Sequence, residues 1–271
     1  MKHTFLNLTL LHFLFTIYFN IIAHNAAKYI YDNNFCLVYL GITDEFCRAN
    51  EICSNYGKSV RQSATLVGGK FFQTMNYTIN IPQSFWTSIN QIELMNENIV
   101  GYENVSNYWI DSQSHEPLYI NQLETDLRNF FKNIDDYSGK NVAYYDHNKK
   151  TLQITHSKRK DPIAVICELG GSKTCNASYD EEFLVIKTFQ RYLYQNDKRL
   201  FANNPYFYGC SLHNGNKSRL ECAYSCMYGD RCSLFFHDKI TGTCVLTRYV
   251  RSSMPLNYSS EKGEWSGYLV V

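Results

Sequence analysis

The order of apolar and polar residues along the chain predicts a series of short strands. An aromatic and β-branched run, from Phe35 to Leu40, ends at Gly41, and a second apolar run, from Ile163 to Cys167, is closed by two glycines. Residues 141–150 and 151–158 predict two further strands joined by a polar turn, Asp-His-Asn-Lys-Lys. With the helices that the same kind of pattern indicates, these strands predict an α+β fold.

The segment after the first strand has the spacing of a helix. Thr43 is the expected N-cap, two acidic residues follow it in a first turn where the helix dipole favours them, and Gly57 is the expected stop. Apolar side chains recur at intervals of three and four and mark one buried face: Phe46, Ala49, Cys53 and Tyr56.

A second helix is predicted from Ser218 onward. Ser218 and Glu221 have the spacing of a capping box, in which each side chain binds the backbone amide of the other residue, and Gly229 is the expected end. Residues 232–238 and 244–250 predict two strands around a glycine-containing turn.

Between these parts, residues 171–203 are predicted to form a structured connector. Their apolar positions fit either a packing helix or a pair of strands, and both alternatives stay open: Phe183, Ile186, Phe189 and Leu193.

The N-terminus has the layout of a secretory signal peptide, with Lys2, an apolar run from Phe5 to Ala23, and small residues after it. Residues 1–27 are predicted to be a signal peptide, cleaved near 23–27. An uncleaved signal anchor is the alternative, because the run is nearly long enough to span a bilayer, but polar residues interrupt it. We expect a secreted, extracellular protein or, alternatively, one anchored at the cell surface by this segment.

The overall charge indicates no partner. Lys and Arg number 26 and Asp and Glu number 25, so no net field favours nucleic acid or an anionic membrane. We therefore predict no nucleic-acid partner, and no membrane span after the signal is cleaved, because no second apolar run of spanning length follows.

Secretion predicts that the ten cysteines form five disulfides. Cys47 and Cys53 are separated by about 9 Å of helical rise, too far for a bond between them. Cys36, on the preceding strand, is the expected partner of Cys47, and Cys53 needs a distant partner.

The second helix carries two cysteines on one face, Cys222 and Cys226. The strands after it carry two more, so we expect Cys222 to bond with Cys244 and Cys226 with Cys232. A zinc site made from the two helix cysteines, His213 and His237 is the alternative, which an oxidising compartment and the lack of a tight CxxC spacing disfavour.

Five N-x-S/T acceptor sequences fit a glycosylated extracellular surface. Their asparagines are Asn76, Asn104, Asn176, Asn216 and Asn257. The chain has no HExxH, GxSxG, P-loop or dinucleotide-binding sequence, and we expect no enzymatic activity.

The order of the cysteines and tryptophans resembles the C-type lectin-like domain over about residues 28–170. That family has an early bridge between a strand and a helix, a helix cysteine tied to a terminal Ile-Cys-Glu strand, an inner tryptophan strand and a Trp-x-Asp segment. The corresponding positions here are Cys36 with Cys47, Cys53 with Cys167, Trp86, and Trp109. The resemblance implies a disulfide-stapled α+β fold.

Calcium-dependent sugar binding in that family uses Glu-Pro-Asn or Gln-Pro-Asp and a Trp-Asn-Asp strand. Here Glu116 and Pro117 precede Leu118, and residues 151–153 are Thr-Leu-Gln. Calcium takes about six to eight oxygen ligands, so too few remain for such a site. We predict no calcium site, no other metal and no cofactor.

The C-terminal part resembles a PAN/apple domain over about residues 204–271, on its cysteine spacing. In that family a helix is stapled to a small sheet. Many such domains have a terminal bridge, but no cysteine follows Cys244 here. By counting alone, Cys210 is left to pair with Cys175.

Two classes of function stay open. The first is a recognition or adhesion protein that binds an extracellular protein without calcium. The second is a calcium-independent lectin, whose basic residues near 158–160 meet anionic glycans, although such a charged turn commonly serves solubility alone. The predicted ligand surface consists of Trp109, Asp111, Glu116, Lys158, Arg159 and Lys160.

Overall fold

The structure is a computed structural model, and it describes residues 28–31, 35–74, 81, 83–90, 108–112, 116–119, 142–170, 188–192, 210–229, 231–250, 252, 254 and 263–270. Among these residues the fold is α+β, as predicted, and most of the elements are strands. The predicted signal segment, residues 1–27, lies outside them. None of the described helices is long and apolar enough to cross a membrane.

The larger sheet contains nine described strands. Their bounds are β1 Lys28–Tyr31, β2 Phe35–Glu45, β3 Ala64–Leu66, β4 Phe85–Asn90, β5 Tyr108–Asp111, β6 Glu116–Tyr119, β7 Val142–Asp146, β8 Thr151–Thr155 and β9 Lys158–Leu169. The order is β1-β2-β9-β4-β5-β6; β3 also pairs with β9, β7 with β4, and β8 with β7. Two helices accompany this sheet, α1 Phe46–Val60 and α2 Gly69–Thr74.

Helix α1 presents the predicted face to the core. Phe46, Ala49, Cys53 and Tyr56 are all buried. The predicted N-cap, Thr43, is wrong: the chain stays extended through Glu45, because β2 continues to pair with β9 as far as the Glu45–Lys158 pair. The amide of Phe46 then donates to the carbonyl of Ser157, 2.8 Å away, so a neighbouring backbone group accepts the first helical amide.

Gly57 was the predicted helix stop, but α1 continues to Val60 and ends at Arg61, whose φ is 55°. Gly57 is required for another reason. A Cβ there would lie 2.5 Å from the carbonyl oxygen of Gln62, closer than two atoms can approach. The chain therefore folds back against the helix at this residue.

The core of this part is rich in aromatic side chains. Trp86, on β4, is fully buried beside Phe46, and its indole Nε1 donates to the carbonyl of Thr43 at 3.0 Å. On the other side of the sheet, Phe72, Phe85 and Tyr145 pack with ring centroids 5.2 to 6.3 Å apart. Apolar burial on both faces explains why β4 is buried throughout.

The smaller sheet contains five described strands, all antiparallel, in the order β10-β14-β12-β13-β11. Their bounds are β10 Phe189–Tyr192, β11 Ser211–Asn216, β12 Cys232–Asp238, β13 Thr243–Arg248 and β14 Trp265–Val270. Helix α3, Arg219–Tyr228, packs on one face of this sheet. The predicted capping box and the helix end at Gly229 are confirmed. β10 lies in the predicted connector, where residues 189–192 are thus a strand.

Four disulfides join described residues. Three of them have the predicted partners: Cys53–Cys167, Cys222–Cys244 and Cys226–Cys232. The first ties α1 to β9, and the other two tie α3 to the two strands of the β12–β13 hairpin. No described cysteine is free.

Two predicted pairings, Cys36 with Cys47 and Cys175 with Cys210, are wrong, because Cys47 bonds with Cys210. The reason is the length of β2. The nine residue steps from Cys36 to Glu45 span roughly 30 Å of extended chain, so Cys36 lies at one end of β2 and Cys47 beyond the other end. A disulfide requires Cα atoms within about 7 Å. Cys36 is disulfide-bonded, and Cys175 lies outside the described residues.

The two sheets share a buried contact. Cys210, Tyr249 and Val250, from the part that carries the smaller sheet, belong to the same apolar cluster as the buried face of α1. The guanidinium of Arg231 also lies 3.2 Å from the hydroxyl of Ser63. The Cys47–Cys210 bridge therefore closes an interface that apolar packing also holds.

Candidate binding surfaces

The predicted ligand residues on β5 are not on the surface. Trp109 is fully buried, and Asp111 is 3% exposed. The Asp111 carboxylate accepts hydrogen bonds from the amide of Gly69, at 2.7 Å, and from the hydroxyl of Ser88. The Asp111 carboxylate thus connects α2 and β4 to β5. Trp109 and Asp111 are therefore corrected from ligand surface to interior. Glu116 lies opposite Asp111 on β6.

The predicted basic surface lies at the start of β9. Lys158 pairs with Glu45 at 2.9 Å, and this hydrogen bond raises the pKa of the lysine. The Arg159 guanidinium stacks 4.1 Å from the ring centroid of Tyr144. Lys160 is exposed. Two of the three basic side chains therefore already have partners within the fold.

A different surface stands out on α3. Leu220, Tyr224 and Tyr228 are 80%, 58% and 70% exposed. They are spaced at i, i+4 and i+8, so they form one continuous row, which we name the α3 stripe. Cys222 and Cys226 lie two positions away from this row, on the opposite side of the helix, and are fully buried.

Three local features hold this helix in place. The Ser218 hydroxyl accepts from the amide of Glu221 at 3.3 Å, and the Glu221 carboxylate accepts from the amide of Ser218 at 2.8 Å. These hydrogen bonds to Ser218 lower the pKa of Glu221. Lys217 Nζ donates to Ser225 Oγ at 2.7 Å. With the two disulfides on the inner face, the α3 stripe points outward on a fixed support.

The two tyrosines of the stripe contact each other. Their ring centroids lie 4.4 Å apart and the rings are tilted by 47°. A hydrogen bond with Tyr228 is the main cause that raises the pKa of the Tyr224 hydroxyl. The rings therefore present a joined aromatic surface beside Leu220.

Of the five acceptor asparagines, Asn216 lies among the described residues. It ends β11, where it is exposed. Asn76, Asn104, Asn176 and Asn257 lie outside the described residues. The described residues contain no group of three His, Cys, Asp or Glu side chains arranged to hold a metal ion.

Comparisons of the chain with family models, with curated proteins and with solved structures gave no match. The function therefore has to be inferred from the surface that the chain itself exposes. The α3 stripe was missed in the sequence, although its signal is present there: Leu220, Tyr224 and Tyr228 recur at helical spacing on the side opposite the two cysteines.

Proposed function

We propose that this protein is a secreted or cell-surface recognition and adhesion protein, which binds a protein partner without calcium through the α3 stripe. The observation that carries the proposal is the exposure of the three large stripe side chains on a disulfide-held helix. Contiguous exposed apolar surface in a globular protein commonly marks an interaction site. The three stripe side chains are more than half exposed, so they are not part of the core.

The chemistry of the stripe favours a protein partner. Tyrosine is among the residues that supply most of the binding energy at protein interfaces. A side chain on a fixed helix also loses less conformational entropy on binding than one on a mobile loop. The i, i+4, i+8 row is the ridge that helices use when they pack against other helices. The stripe therefore supports an apolar, shape-dependent contact.

The proposal includes a C-type lectin-like domain at about residues 28–170 and a PAN/apple-like domain at about 204–271. The Cys53–Cys167 bridge supports the first, and the two bridges from α3 to its hairpin support the second. The Cys47–Cys210 bridge departs from the pattern of both families. The disulfides and the exposure of Asn216 support secretion and glycosylation.

The calcium-independent lectin is the weaker alternative. Its basic residues gain little support, since Lys158 is paired with Glu45 and Arg159 is stacked on Tyr144. Two further residues of the predicted ligand surface, Trp109 and Asp111, are buried. A glycan partner would need a different surface.

The test is a binding screen of the full, disulfide-bonded chain, presented as a multimer, against extracellular proteins and against a glycan array, with and without EDTA. We expect binding to a protein that EDTA leaves unchanged. The variant Leu220→Glu/Tyr228→Glu should lose it, because two interface hot spots at about 2 kcal/mol each correspond to roughly a thousandfold in Kd.

The matched control is Ile42→Glu, which changes an apolar side chain that is 59% exposed on β2. It should bind as the unaltered chain does, and all variants should keep the same thermal unfolding midpoint because the altered positions are exposed. Protein binding that survives in the stripe variant contradicts the proposal. Binding confined to glycans favours the lectin alternative.

A further inference from the structure

Arg219 extends from the flank of α3 over an aromatic ring of the smaller sheet. Its guanidinium carbon lies 5.9 Å from the ring centroid of Tyr268, on β14, and its Nη1 lies 3.5 Å from the Tyr268 hydroxyl. Arg219 is exposed. The guanidinium is therefore held beside the α3 stripe, one residue from Leu220.

A second arginine lies on the edge strand, on the same face of the sheet as Tyr268. Arg191, on β10, is paired directly opposite Tyr268 on β14, so both side chains stand on the same face of the sheet. Arg191 is also exposed, and its Nη2 lies 3.5 Å from Ser266 Oγ. Since Ser266 and Tyr268 are two residues apart on one strand, they share that face as well.

The two guanidinium groups have no acidic partner among the described residues. The ion pairs found there join Arg48 to Glu51, Lys158 to Glu45 and Lys239 to Glu264. The acidic residue nearest to Arg219 in sequence, Glu221, is already bound to Ser218 in the capping box. Two like charges on one face of the sheet repel each other, and a bound anion would relieve that repulsion.

We propose that Arg191, Arg219 and Tyr268 form an anion-binding site that takes a carboxylate from the protein partner of the α3 stripe. This inference rests on the proposed function and names the partner: a segment that places apolar side chains on the stripe and an Asp or Glu on the arginine pair. A guanidinium presents paired N–H donors that match the two oxygens of a carboxylate. The tyrosine hydroxyl adds a third donor at the same point.

The position of the site favours an acidic peptide over a sulfated glycan or an anionic lipid surface. The stripe and Arg219 lie on one helix, with Leu220 directly after Arg219, so one segment can contact both. A glycan would use the charges and leave Leu220 in water. Apolar contact ringed by charge is the usual composition of a protein interface.

The test uses the full chain with its disulfides formed, and the probe is a phage-displayed library of random short peptides. We expect the enriched peptides to combine Asp or Glu with Leu or aromatic residues. One enriched peptide, resynthesised, should bind Arg191→Ser/Arg219→Ser on the order of tenfold more weakly than the unaltered chain, and with a smaller dependence on salt.

The control Arg48→Ser/Lys149→Ser removes the same charge from exposed positions on α1 and the β7–β8 turn, and should leave the affinity unchanged. Enriched peptides without acidic residues, no enrichment at all, or equal binding by the arginine variant would each overturn the inference. Binding of a heparin oligosaccharide or phosphatidylserine vesicles that needs both arginines, without peptide binding, would also overturn it. If a peptide no longer binds the Leu220→Glu variant but still binds the arginine variant, the anion site alone is contradicted. The proposed function then stands.

Discussion

Cys47, at the start of α1, is bonded to Cys210, which directly precedes β11, and their Cα atoms lie 5.3 Å apart. Tyr249 and Val250 lie in the same buried cluster as this bridge. The two sheets are thus connected by a covalent bond and by apolar packing, and not only by the chain that runs between them. A ligand on α3 therefore binds to a part of the molecule that is anchored to the larger sheet.

Removal of this bridge should cost more stability than removal of a local one. With Cys53–Cys167 intact, Cys47–Cys210 closes a loop of about 50 residues, and Cys47→Ser/Cys210→Ser is expected to lower the free energy of unfolding by about 4 kcal/mol. Cys226 and Cys232 are 6 residues apart, and the matching double serine variant should lose about half as much. Urea unfolding without reductant measures both. Equal losses would show that the bridge between the sheets contributes no more than a local staple.

The connectivity gives a second prediction. Cys36 is disulfide-bonded, and the four described bridges occupy eight of the other nine cysteines. Non-reduced peptide maps should therefore contain Cys36 joined to Cys175, and alkylation of the native chain should label no thiol. A peptide that joins Cys36 to Cys47 would contradict the structure.

The sequence was most informative where the structure is set by neighbours along the chain. The capping box at Ser218 and the pairing of α3 with its hairpin depend on residues within one helix and the next two strands, and both were predicted. The end of β2 was not. Its apolar pattern stops at Gly41, but pairing with β9 keeps the chain extended to Glu45. Because that contact is distant in sequence, the partner of Cys47 was predicted wrongly.

The candidate site shows the same division. Asp111, in the Trp-x-Asp segment, was assigned to the ligand surface. Its partners, the Gly69 amide and the Ser88 hydroxyl, are brought to it by other elements, and no local pattern indicates them. The α3 stripe, by contrast, follows from the spacing of Leu220, Tyr224 and Tyr228 within a single helix and could have been predicted.

Ser218 should have two separable roles. It caps α3, and it completes the acceptor sequence Asn216-Lys217-Ser218. Ser218→Ala is expected to remove both the glycan and about 1 kcal/mol of stability, whereas Ser218→Thr keeps a capping hydroxyl and an acceptor. Asn216→Gln should remove the glycan only. Intact mass and urea unfolding separate these effects, and a glycan at Asn216 in the alanine variant would refute the role of Ser218 in the acceptor sequence.

Asp238 organises the turn of the β12–β13 hairpin, to which two disulfides tie α3. Its carboxylate accepts from the amides of Ile240, at 3.1 Å, and Thr241, at 3.2 Å, and from the Thr241 hydroxyl at 2.6 Å. Burial alone would raise the pKa of this carboxyl, but the hydrogen bonds from Thr241 and the surrounding amides together lower it. Its charged form is therefore stabilised by the fold.

The lowered pKa of Asp238 fixes the sign of a pH effect on stability. A carboxyl whose pKa is lower in the folded chain contributes its full stability at a pH above the pKa of the unfolded chain, about 3.9. This stability is lost as the pH falls through the pKa of the folded chain. Asp238→Asn should lower the free energy of unfolding by about 1–2 kcal/mol at neutral pH, and the difference should shrink in acid. Asp161→Asn, at an exposed position, serves as the control and should have no effect. Urea unfolding at neutral pH and near the lowest pH at which the chain still folds measures the stability difference. A difference that grows in acid would refute the proposed role of the charge.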